Sequence, residues 1–255
     1  MPDRLFSLKS KTIVITGASS GLGKGLASAY GDEGANLVIT SRNISNLEDL
    51  AHEIELKGVK VLPVKTDVTK RSDVENLLKK AIEEFGGVDV LVNNAGMSIP
   101  GLSAENVSEK DMQTIMDTNF KGVFLCGTII GHHMIEQGKG KIINMSSVLG
   151  QTTWPGASIY SASKAAIDQI TKAWAIEWAL KNVNVNALAP TFIVTEMNKH
   201  LFEQDSYRER VLNHLPMARV GSIDDLVGPA IFLASSASDF ITGHILLVDG
   251  GWTCV

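Results

Sequence analysis

The chain has 255 residues, 44% of them hydrophobic and 20% charged, which is the composition of a globular protein with enough length for one large α/β core or two smaller units. Its 28 acidic residues outnumber its 23 lysines and arginines, and a net charge of −5 argues against a nucleic-acid-binding surface, which needs a basic field. No apolar run approaches the ~20 residues that span a bilayer, so we expect a small molecule as the partner, with no nucleic acid and no membrane.

The first residues, MPDRLFSLKSK, lack the apolar segment and the small-residue cleavage site of a signal peptide, and we therefore expect a cytoplasmic protein. Cys126 and Cys254 are the only cysteines of the sequence, and neither has the C-x-x-C spacing of a metal site. In a reducing compartment both stay free thiols. We expect no metal in this protein.

Short β-branched apolar runs alternate with amphipathic stretches of helical length along the chain. Seven runs predict seven strands, namely TIVITG, ANLVIT, VKVLPVK, VDVLVNN, GKIINMSS, VNVNALAP and HILLVDGG. Helices are predicted between them, for example in ISNLEDLAHEIELKG and RSDVENLLKKAIEEFGG. The alternation is typical of βαβ units, so the predicted fold is a single α/β domain over residues 1–255, with a doubly wound, seven-stranded parallel sheet and helices on both faces.

The first predicted strand ends in a glycine-rich turn, TGASSGLGKGLA, that leads into a helix. Glycines let the backbone approach a pyrophosphate, and the free amides at the helix N-terminus favour its negative charge. The alternative is that the glycines serve only to form the turn. The position of the turn between the first strand and the first helix favours nucleotide binding. The candidate contacts are Gly17, Ser19, Ser20, Gly21, Leu22 and Gly23.

The second predicted strand ends in VITSRN, and no acidic residue follows until Glu48. A carboxylate at this position would bind both ribose hydroxyls of NAD and repel a 2′-phosphate. Arg42 instead offers a planar fork of donors for a phosphate, with Ser41 and Asn43 beside it. NADP(H) is therefore favoured over NAD(H), with a solvated surface arginine as the alternative.

Several polar residues, each of them ordinary when taken alone, lie on or just after the later strands and helices. They are the N-N-A-G sequence at 93–96, Asn119 inside a predicted helix, Ser147 after the fifth strand, and Tyr160 and Lys164 four residues apart. Together with T-G-x-x-x-G-x-G at 16–23, this combination resembles the short-chain dehydrogenase/reductase family over essentially the whole chain. The resemblance implies a Rossmann fold and hydride transfer between the nicotinamide of NAD(P)H and a carbonyl or secondary alcohol.

The resemblance also implies roles for four catalytic residues, Asn119, Ser147, Tyr160 and Lys164. Tyr160 would be the general acid or base, because a lysine at i+4 on one helix face lowers the pKa of the phenol. Ser147 would hold the substrate oxygen, and Lys164 would also bind the nicotinamide ribose. Asn119 would hold a water molecule that connects Lys164 to solvent.

Further cofactor contacts are implied by position in the family pattern. They are Asp67, Val68, Asn93, Ala95, Gly96, Tyr160, Lys164, Pro190, Ile193 and Thr195. Two residues depart from the pattern, since Thr191 stands where many members have glycine and Ser20 where many NADP-preferring members have a basic residue. A β-branched residue disfavours positive φ, so the backbone at Thr191 is either conventional or strained.

The segment at about 191–215 is longer than a connection between two strands requires and is expected to be a substrate lid. Its apolar wall would be Phe192, Met197, Leu201 and Phe202, and its possible carboxylate partners Lys199, His200, Arg208 and Arg210. Trp154, on a loop between the serine and the tyrosine, would stack on a substrate or pack against this segment.

The C-terminal half resembles the branch that contains gluconate 5-dehydrogenase and 3-oxoacyl-(acyl-carrier-protein) reductase. The implied substrate is a sugar acid, a polyol or a related ketone, with a 3-oxoacyl thioester as the alternative and a non-catalytic nucleotide sensor as a distant one. The usual assembly of the family implies a homotetramer, with a dimer as the alternative. Trp174 and Trp178, on one face of a predicted helix, would belong to the core or to a subunit interface.

Overall fold

The computed structural model describes residues 5–99, 101–195 and 199–255, without the side chains of His200 and Leu201. Its sheet has seven strands in the order β3-β2-β1-β4-β5-β6-β7, and every neighbouring pair is parallel. The strands are β1 (Thr12–Thr16), β2 (Asn36–Ser41), β3 (Val61–Lys65), β4 (Val90–Asn93), β5 (Gly140–Met145), β6 (Val183–Pro190) and β7 (Ile245–Val248). The predicted seven-stranded parallel sheet is confirmed.

Helices cover both faces of this sheet. They are α1 (Gly21–Asp32), α2 (Ile44–Glu55), α3 (Arg71–Phe85), α4 (Glu109–Met116), α5 (Gly122–Gln137), α6 (Ser158–Trp178), α7 (Lys199–Phe202), α8 (Asp205–Leu212) and α9 (Asp224–Ala234). A π-helical segment, Asp117–Lys121, joins α4 to α5. Within the described ranges, no helix combines the length and the apolar character that a membrane crossing needs.

The strands are buried on both faces, which explains their continuous apolar sequences. In β1, Ile13 and Ile15 pack into the core that holds α1, α2 and α9, whereas Val14 between them packs into the core that holds α3, α5 and α6. Successive side chains of a strand point to opposite faces, so a strand between two cores needs an apolar residue at every position.

The tryptophans of α6 lie in the second of these cores. The rings of Trp174 and Trp178 stack 5.0 Å apart, and the residues are only 3% and 8% exposed. Two glycines of α5 make room for them, since a Cβ at Gly127 would overlap the ring of Trp174 and one at Gly131 would lie 2.9 Å from the ring of Trp178. Of the two alternatives for this face, the structure supports the core.

The strand order changes direction between β1 and β4, because β2 and β3 follow on one side of β1 and β4 to β7 on the other. In an open parallel sheet such a switch point leaves a crevice at the carboxyl ends of the strands, where ligands bind. All strands run parallel, so the residues that follow β1, β2, β3, β4, β5 and β6 meet at this one edge.

Candidate active site

The glycine-rich turn between β1 and α1 is pressed against the end of β4. Gly17 has φ +67° and Gly21 has φ +55°, the left-handed region that glycine adopts at least cost. A Cβ at Gly17 would lie 2.8 Å from Ala95 Cα, and one at Gly23 would overlap the carbonyl oxygen of Gly17. The predicted serines and leucine of the turn lie around these glycines, with Ser19 and Leu22 half-buried and Ser20 exposed.

Asn94 clamps this turn to β4. Its Nδ2 donates to the carbonyl oxygens of Thr16 at 2.9 Å and Gly17 at 3.1 Å, and its backbone N–H donates to Thr16 Oγ1 at 3.0 Å. Asn93, the predicted cofactor contact, points elsewhere, because its side chain is 2% exposed and donates to Asn144 Oδ1 at 2.9 Å. The side chain of Asn93 therefore joins β4 to β5, and Asn94 is the amide that faces the turn. Asn93 stays a predicted cofactor contact.

The end of β2 forms a compact turn that leaves Arg42 exposed. Ser41 Oγ donates to the carbonyl oxygen of Asn43 at 3.0 Å, and the backbone N–H of Asn43 donates to Ser41 Oγ at 3.1 Å. Asn43 Oδ1 accepts from the backbone N–H of Asn46 and caps α2. Ser41 and Asn43 thus shape the turn, and Arg42 is the side chain directed to solvent.

Asp67, after β3, is held in a turn by Thr69, which donates to Asp67 Oδ1 from its backbone N–H at 3.1 Å and its hydroxyl at 2.7 Å. Burial raises the pKa of Asp67, but the Thr69 hydrogen bonds and the charges of Lys70 and Arg42 together lower it by more. The pKa therefore lies below its usual value. The neighbouring Val68 is 8% exposed. Asp67 is therefore an ionised carboxylate that accepts hydrogen bonds beside Arg42 at neutral pH.

Asn119 lies in the π-helical segment Asp117–Lys121 and is 1% exposed. Its Oδ1 accepts from the backbone N–H of Met97 at 2.8 Å, and its Nδ2 donates to the carbonyl oxygen of Met97 at 2.9 Å and to Ser163 Oγ at 3.0 Å. The side chain ties the loop after β4 to α6. Asparagine is a poor helix former, and here its cost is offset by these tertiary hydrogen bonds.

Ser147 follows β5 and is 7% exposed. Its Oγ accepts from the backbone N–H of Leu149 at 3.2 Å and begins the 3-10 turn Val148–Gly150. Burial raises the pKa of Tyr160, while a hydrogen bond with Ser147 acts in the opposite direction. The hydroxyl groups of Ser147 and Tyr160, thirteen residues apart in sequence, are therefore brought together.

Lys164 is 5% exposed, and its Nζ lies 5.5 Å from the ring centroid of Tyr160. Nζ donates to the carbonyl oxygen of Met145 at 2.7 Å. Burial lowers the pKa of Lys164 to about 8, and the charge of Asp168 acts in the opposite direction. The expected lowering of the Tyr160 pKa by Lys164 is not seen, because burial dominates at the phenol.

Gly96 lets the loop after β4 approach these catalytic candidates. A Cβ there would lie 3.4 Å from Asn119 Oδ1 and 3.7 Å from Lys164 Nζ. The loop that carries Ala95 and Gly96 therefore runs past both the turn after β1 and the amine of Lys164.

The segment after β6 closes the other side of the crevice. Thr191, after Pro190, has a conventional backbone, since its φ is not positive, and its N–H donates to the carbonyl oxygen of Val248 at 3.2 Å. Ile193 is 6% exposed. Thr195 faces the glycine-rich turn, because a Cβ at Gly21 would lie 3.8 Å from Thr195 Cγ2.

Comparison with known proteins agrees with this geometry. A family model described as enoyl-(acyl carrier protein) reductase matches residues 17–253. The gluconate 5-dehydrogenase of Gluconobacter oxydans (strain 621H) is 36% identical over 252 residues, 99% of this chain and 98% of that protein. The chain belongs to the short-chain dehydrogenase/reductase family.

Other members of the family extend the comparison. The 3-oxoacyl-(acyl-carrier-protein) reductase of Thermotoga maritima is 38% identical over 244 residues, 96% of this chain and 98% of that protein. The crystal structure of a gluconate 5-dehydrogenase from Burkholderia cenocepacia J2315 in complex with NADP and tartrate has a TM-score of 0.96 at 34% identity and covers 100% of both chains. The predicted family and Rossmann fold are confirmed, and the chain is an oxidoreductase.

In this short-chain dehydrogenase/reductase, Trp154 packs into an aromatic cluster with the segment after β6. Its ring centroid lies 5.8 Å from that of Phe192 and 5.3 Å from that of Trp252. The guanidinium carbon of Arg210 lies 5.2 Å from the Trp154 ring and 5.7 Å from the Tyr207 ring. Of the two alternatives for Trp154, the structure shows packing against this segment. Of the side chains predicted to line it, those of Met197, His200 and Leu201 lie outside the described part of the chain.

The fold of this oxidoreductase brings three further polar residues to the site that were not predicted from the sequence. Asn94 holds the glycine-rich turn, Ser163 accepts from Asn119, and Asp168 accepts from Ser146 Oγ. Strand alternation after β4 could have separated Asn94 from Asn93, and Asp168 lies at i+4 from Lys164 on the same helix.

Proposed function

We propose that this oxidoreductase uses NADP(H) in preference to NAD(H) and interconverts a carbonyl group and a secondary alcohol of a sugar acid, a polyol or a related ketone. Tyr160 is the general acid and base. The observation that carries the proposal is the half-buried Tyr160, whose phenol is hydrogen-bonded with Ser147 and whose ring centroid lies 5.5 Å from Lys164 Nζ.

The crevice fits a dinucleotide in its shape and in its donors. A Cβ at Gly17 would lie 2.8 Å from Ala95 Cα, so the turn has the close backbone packing that phosphate binding requires. The residues proposed to hold the cofactor are Gly17, Ser19, Ser20, Gly21, Leu22, Gly23, Ser41, Arg42, Asn43, Asp67, Val68, Asn93, Ala95, Gly96, Tyr160, Lys164, Pro190, Ile193 and Thr195. The nicotinamide, when bound, supplies or accepts a hydride.

The protein's own residues move the proton. Because the pKa of Tyr160 lies above its ordinary value, the phenol is neutral at pH 7 and can donate a proton to a carbonyl oxygen. Ser147 orients that oxygen through its hydroxyl, and the cationic amine of Lys164 stabilises the phenolate that forms. Asn119 and Ser163 hold the loop after β4 against α6, where a water molecule would return the proton to Lys164.

The preference for NADP is tested at Arg42. Loss of a charge-assisted hydrogen bond costs about 1.5–3 kcal/mol, so Arg42→Met should raise the KM for NADPH by about tenfold or more and change the KM for NADH little. Lys79→Met, which removes an exposed positive charge on α3, is the control and should change neither KM. An equal change of both KM values in Arg42→Met would argue that Arg42 is only a solvated surface residue.

The substrate class is supported by the relatives and by the cation held near Trp154. One relative and one structural neighbour are named gluconate 5-dehydrogenase, and that neighbour contains tartrate. Arg210 lies exposed on α8 and stacks on Trp154, so it offers donors to a carboxylate from the proposed lid at about 191–215.

A 3-oxoacyl thioester is the second candidate substrate. A cavity of about 10 Å³ next to Tyr160 has apolar walls that include Ile99, Leu102 and Ile115, and one relative is named a 3-oxoacyl-(acyl-carrier-protein) reductase. A volume of that size holds about one water molecule, so an acyl chain would have to open it. The apolar walls favour such a chain only if this opening occurs.

Steady-state assays with NADPH and NADH against 5-ketogluconate, acetoacetyl thioester and a simple ketone distinguish these possibilities. The proposal expects the largest kcat/KM with the keto acid and NADPH. A larger kcat/KM with the thioester would select the second candidate. No turnover with any of them would favour the non-catalytic nucleotide sensor, against which stands the presence of all four catalytic candidates.

We further propose a homotetramer in the cytoplasm. Large apolar side chains are exposed on α6, on the 3-10 turn that follows it and on the surface before β7, with Ile176 at 81%, Leu180 at 102% and Phe240 at 105%. Exposed apolar patches mark interaction surfaces. Both cysteines are free, which suits a reducing compartment. Light scattering should give four times the chain mass of 27.4 kDa; a mass of one chain would contradict the assembly.

A further inference from the structure

Asp168 is a buried carboxylate directly behind the proposed catalytic pair. It lies one helical turn beyond Lys164 on α6 and is 5% exposed. Its Oδ1 accepts a short hydrogen bond from Ser146 Oγ, the residue before Ser147. Its Oδ2 is buried and has no hydrogen-bond partner among the described residues. Since burying an unpaired carboxylate oxygen is costly, the position of Asp168 calls for a compensating role.

The surroundings of Asp168 are shaped to admit it. Gly150 faces Oδ2, and a Cβ at Gly150 would lie 2.7 Å from that oxygen. Ser146 Oγ also lies 3.4 Å from the carbonyl oxygen of Lys164, but a hydroxyl has one proton and the shorter contact is to Asp168. The carboxylate therefore fixes the end of β5, and Ser147 is the next residue along the chain.

The electrostatic surroundings of Asp168 couple it to Lys164. Burial raises the pKa of Asp168, while the Ser146 hydrogen bond and the charges of Lys172 and Lys164 lower it. From β5 and the 3-10 turn, the groups that face the carboxylate are the neutral Ser146 and Gly150. Around Lys164, the titratable groups are Tyr160 and Asp168 of its own helix, and β5 contributes the carbonyl oxygen of Met145.

We propose that Asp168 is a positioning residue for the Tyr160–Lys164 pair: its carboxylate holds Ser146, and with it Ser147, and its negative charge keeps the buried Lys164 protonated. The inference rests on the proposed function of that pair. Without this charge, burial acts on Lys164 unopposed by Asp168, so the amine loses its proton at lower pH.

Asp168→Asn tests the role of the charge, because asparagine keeps the size and the oxygen that accepts from Ser146. The rate of alcohol oxidation should rise with pH as the Tyr160–Lys164 pair loses a proton, and its midpoint belongs to the pair. Removing a nearby negative charge makes that loss easier, so the midpoint should move down by about one pH unit. Asp168→Ser, which removes the same charge with a smaller polar side chain, should move the midpoint the same way.

Glu177→Gln is the matched control, since it removes one negative charge from an exposed position on the same helix. It lies nine residues further along, about 13 Å by helical rise, and its midpoint should equal that of the wild type.

The outcomes separate this inference from the proposed function. If the oxidation rate of the wild type shows no rise with pH that is lost in Tyr160→Phe, the proposed function is overturned. If that rise is present and has the same midpoint in wild type and Asp168→Asn, the role of Asp168 is overturned and the proposed function stands. An equal shift in Glu177→Gln would also overturn the role of Asp168, because any charge on the helix would then suffice. If Asp168→Asn does not fold, the Asp168→Ser midpoint decides between these results.

Discussion

Replacing Tyr160 by phenylalanine should lower kcat by about 10³-fold, within the 10²- to 10⁴-fold range of general acid–base catalysis. The substitution removes one oxygen and leaves the ring, so the packing of the proposed active site is preserved. Loss of a single hydrogen bond should change NADPH affinity by less than about tenfold. Steady-state kinetics give kcat, and fluorescence titration of NADPH gives the dissociation constant.

Tyr30→Phe is the matched control for this substitution. Tyr30 is fully buried in the core between α1 and α9, and its hydroxyl donates to the carbonyl oxygen of Ala230 at 3.4 Å. Its kcat should equal that of the wild type. Turnover at the wild-type rate in Tyr160→Phe would remove the phenol from the mechanism, and another proton donor would be needed.

Gly17→Ala should weaken NADPH binding by at least tenfold, which corresponds to about 1.4 kcal/mol. An alanine at φ +67° is strained by about 1–3 kcal/mol, and its Cβ would lie 2.8 Å from the Cα of Ala95. The turn must then move away from β4, and the backbone amides that would meet the pyrophosphate move with it. Fluorescence titration measures the affinity, and urea denaturation measures the accompanying loss in free energy of unfolding.

Gly58→Ala is the control that separates the effect of backbone strain from that of steric overlap at the added Cβ. Gly58 has φ +83°, but a Cβ there would meet nothing within 4 Å among the described residues. Its free energy of unfolding should fall through the backbone conformation alone, and its NADPH affinity should equal that of the wild type. Equal affinities in Gly17→Ala and Gly58→Ala would show that the turn after β1 is a structural turn without a role in nucleotide binding.

Structural features that depend only on local sequence could be predicted from the amino-acid sequence. Positive φ at Gly17 and Gly21 is a property of the glycine backbone, and the apolar residues of β1 at every position indicate burial on both faces. The i, i+4 spacing of Tyr160 and Lys164 places them on one face of α6 wherever that helix packs. These features need no knowledge of distant contacts.

Features that depend on contacts distant in sequence could not be predicted. The π-helical turn at Asn119 is accompanied by hydrogen bonds to Met97 and Ser163, which lie 22 and 44 residues away. At Tyr160 burial raises the pKa by more than the hydrogen bond with Ser147 lowers it, and only the packing around the phenol decides that balance. The environment of Trp154 comes from Phe192 and Trp252, so the sequence left open whether its ring stacks on a substrate or packs against the segment at about 191–215.

The π-helical segment also constrains how the length of this chain can vary. Asp117–Lys121 joins α4 and α5 into one continuous rod. Deleting one residue there would restore a uniform pitch but turn everything beyond it by about 100°, since a helix has 3.6 residues per turn. Gly127 and Gly131 would then swing away from the tryptophan rings that they accommodate. The number of residues between the two ends is therefore fixed by the contacts of α5 with the tryptophan rings and by the hydrogen bonds of Asn119.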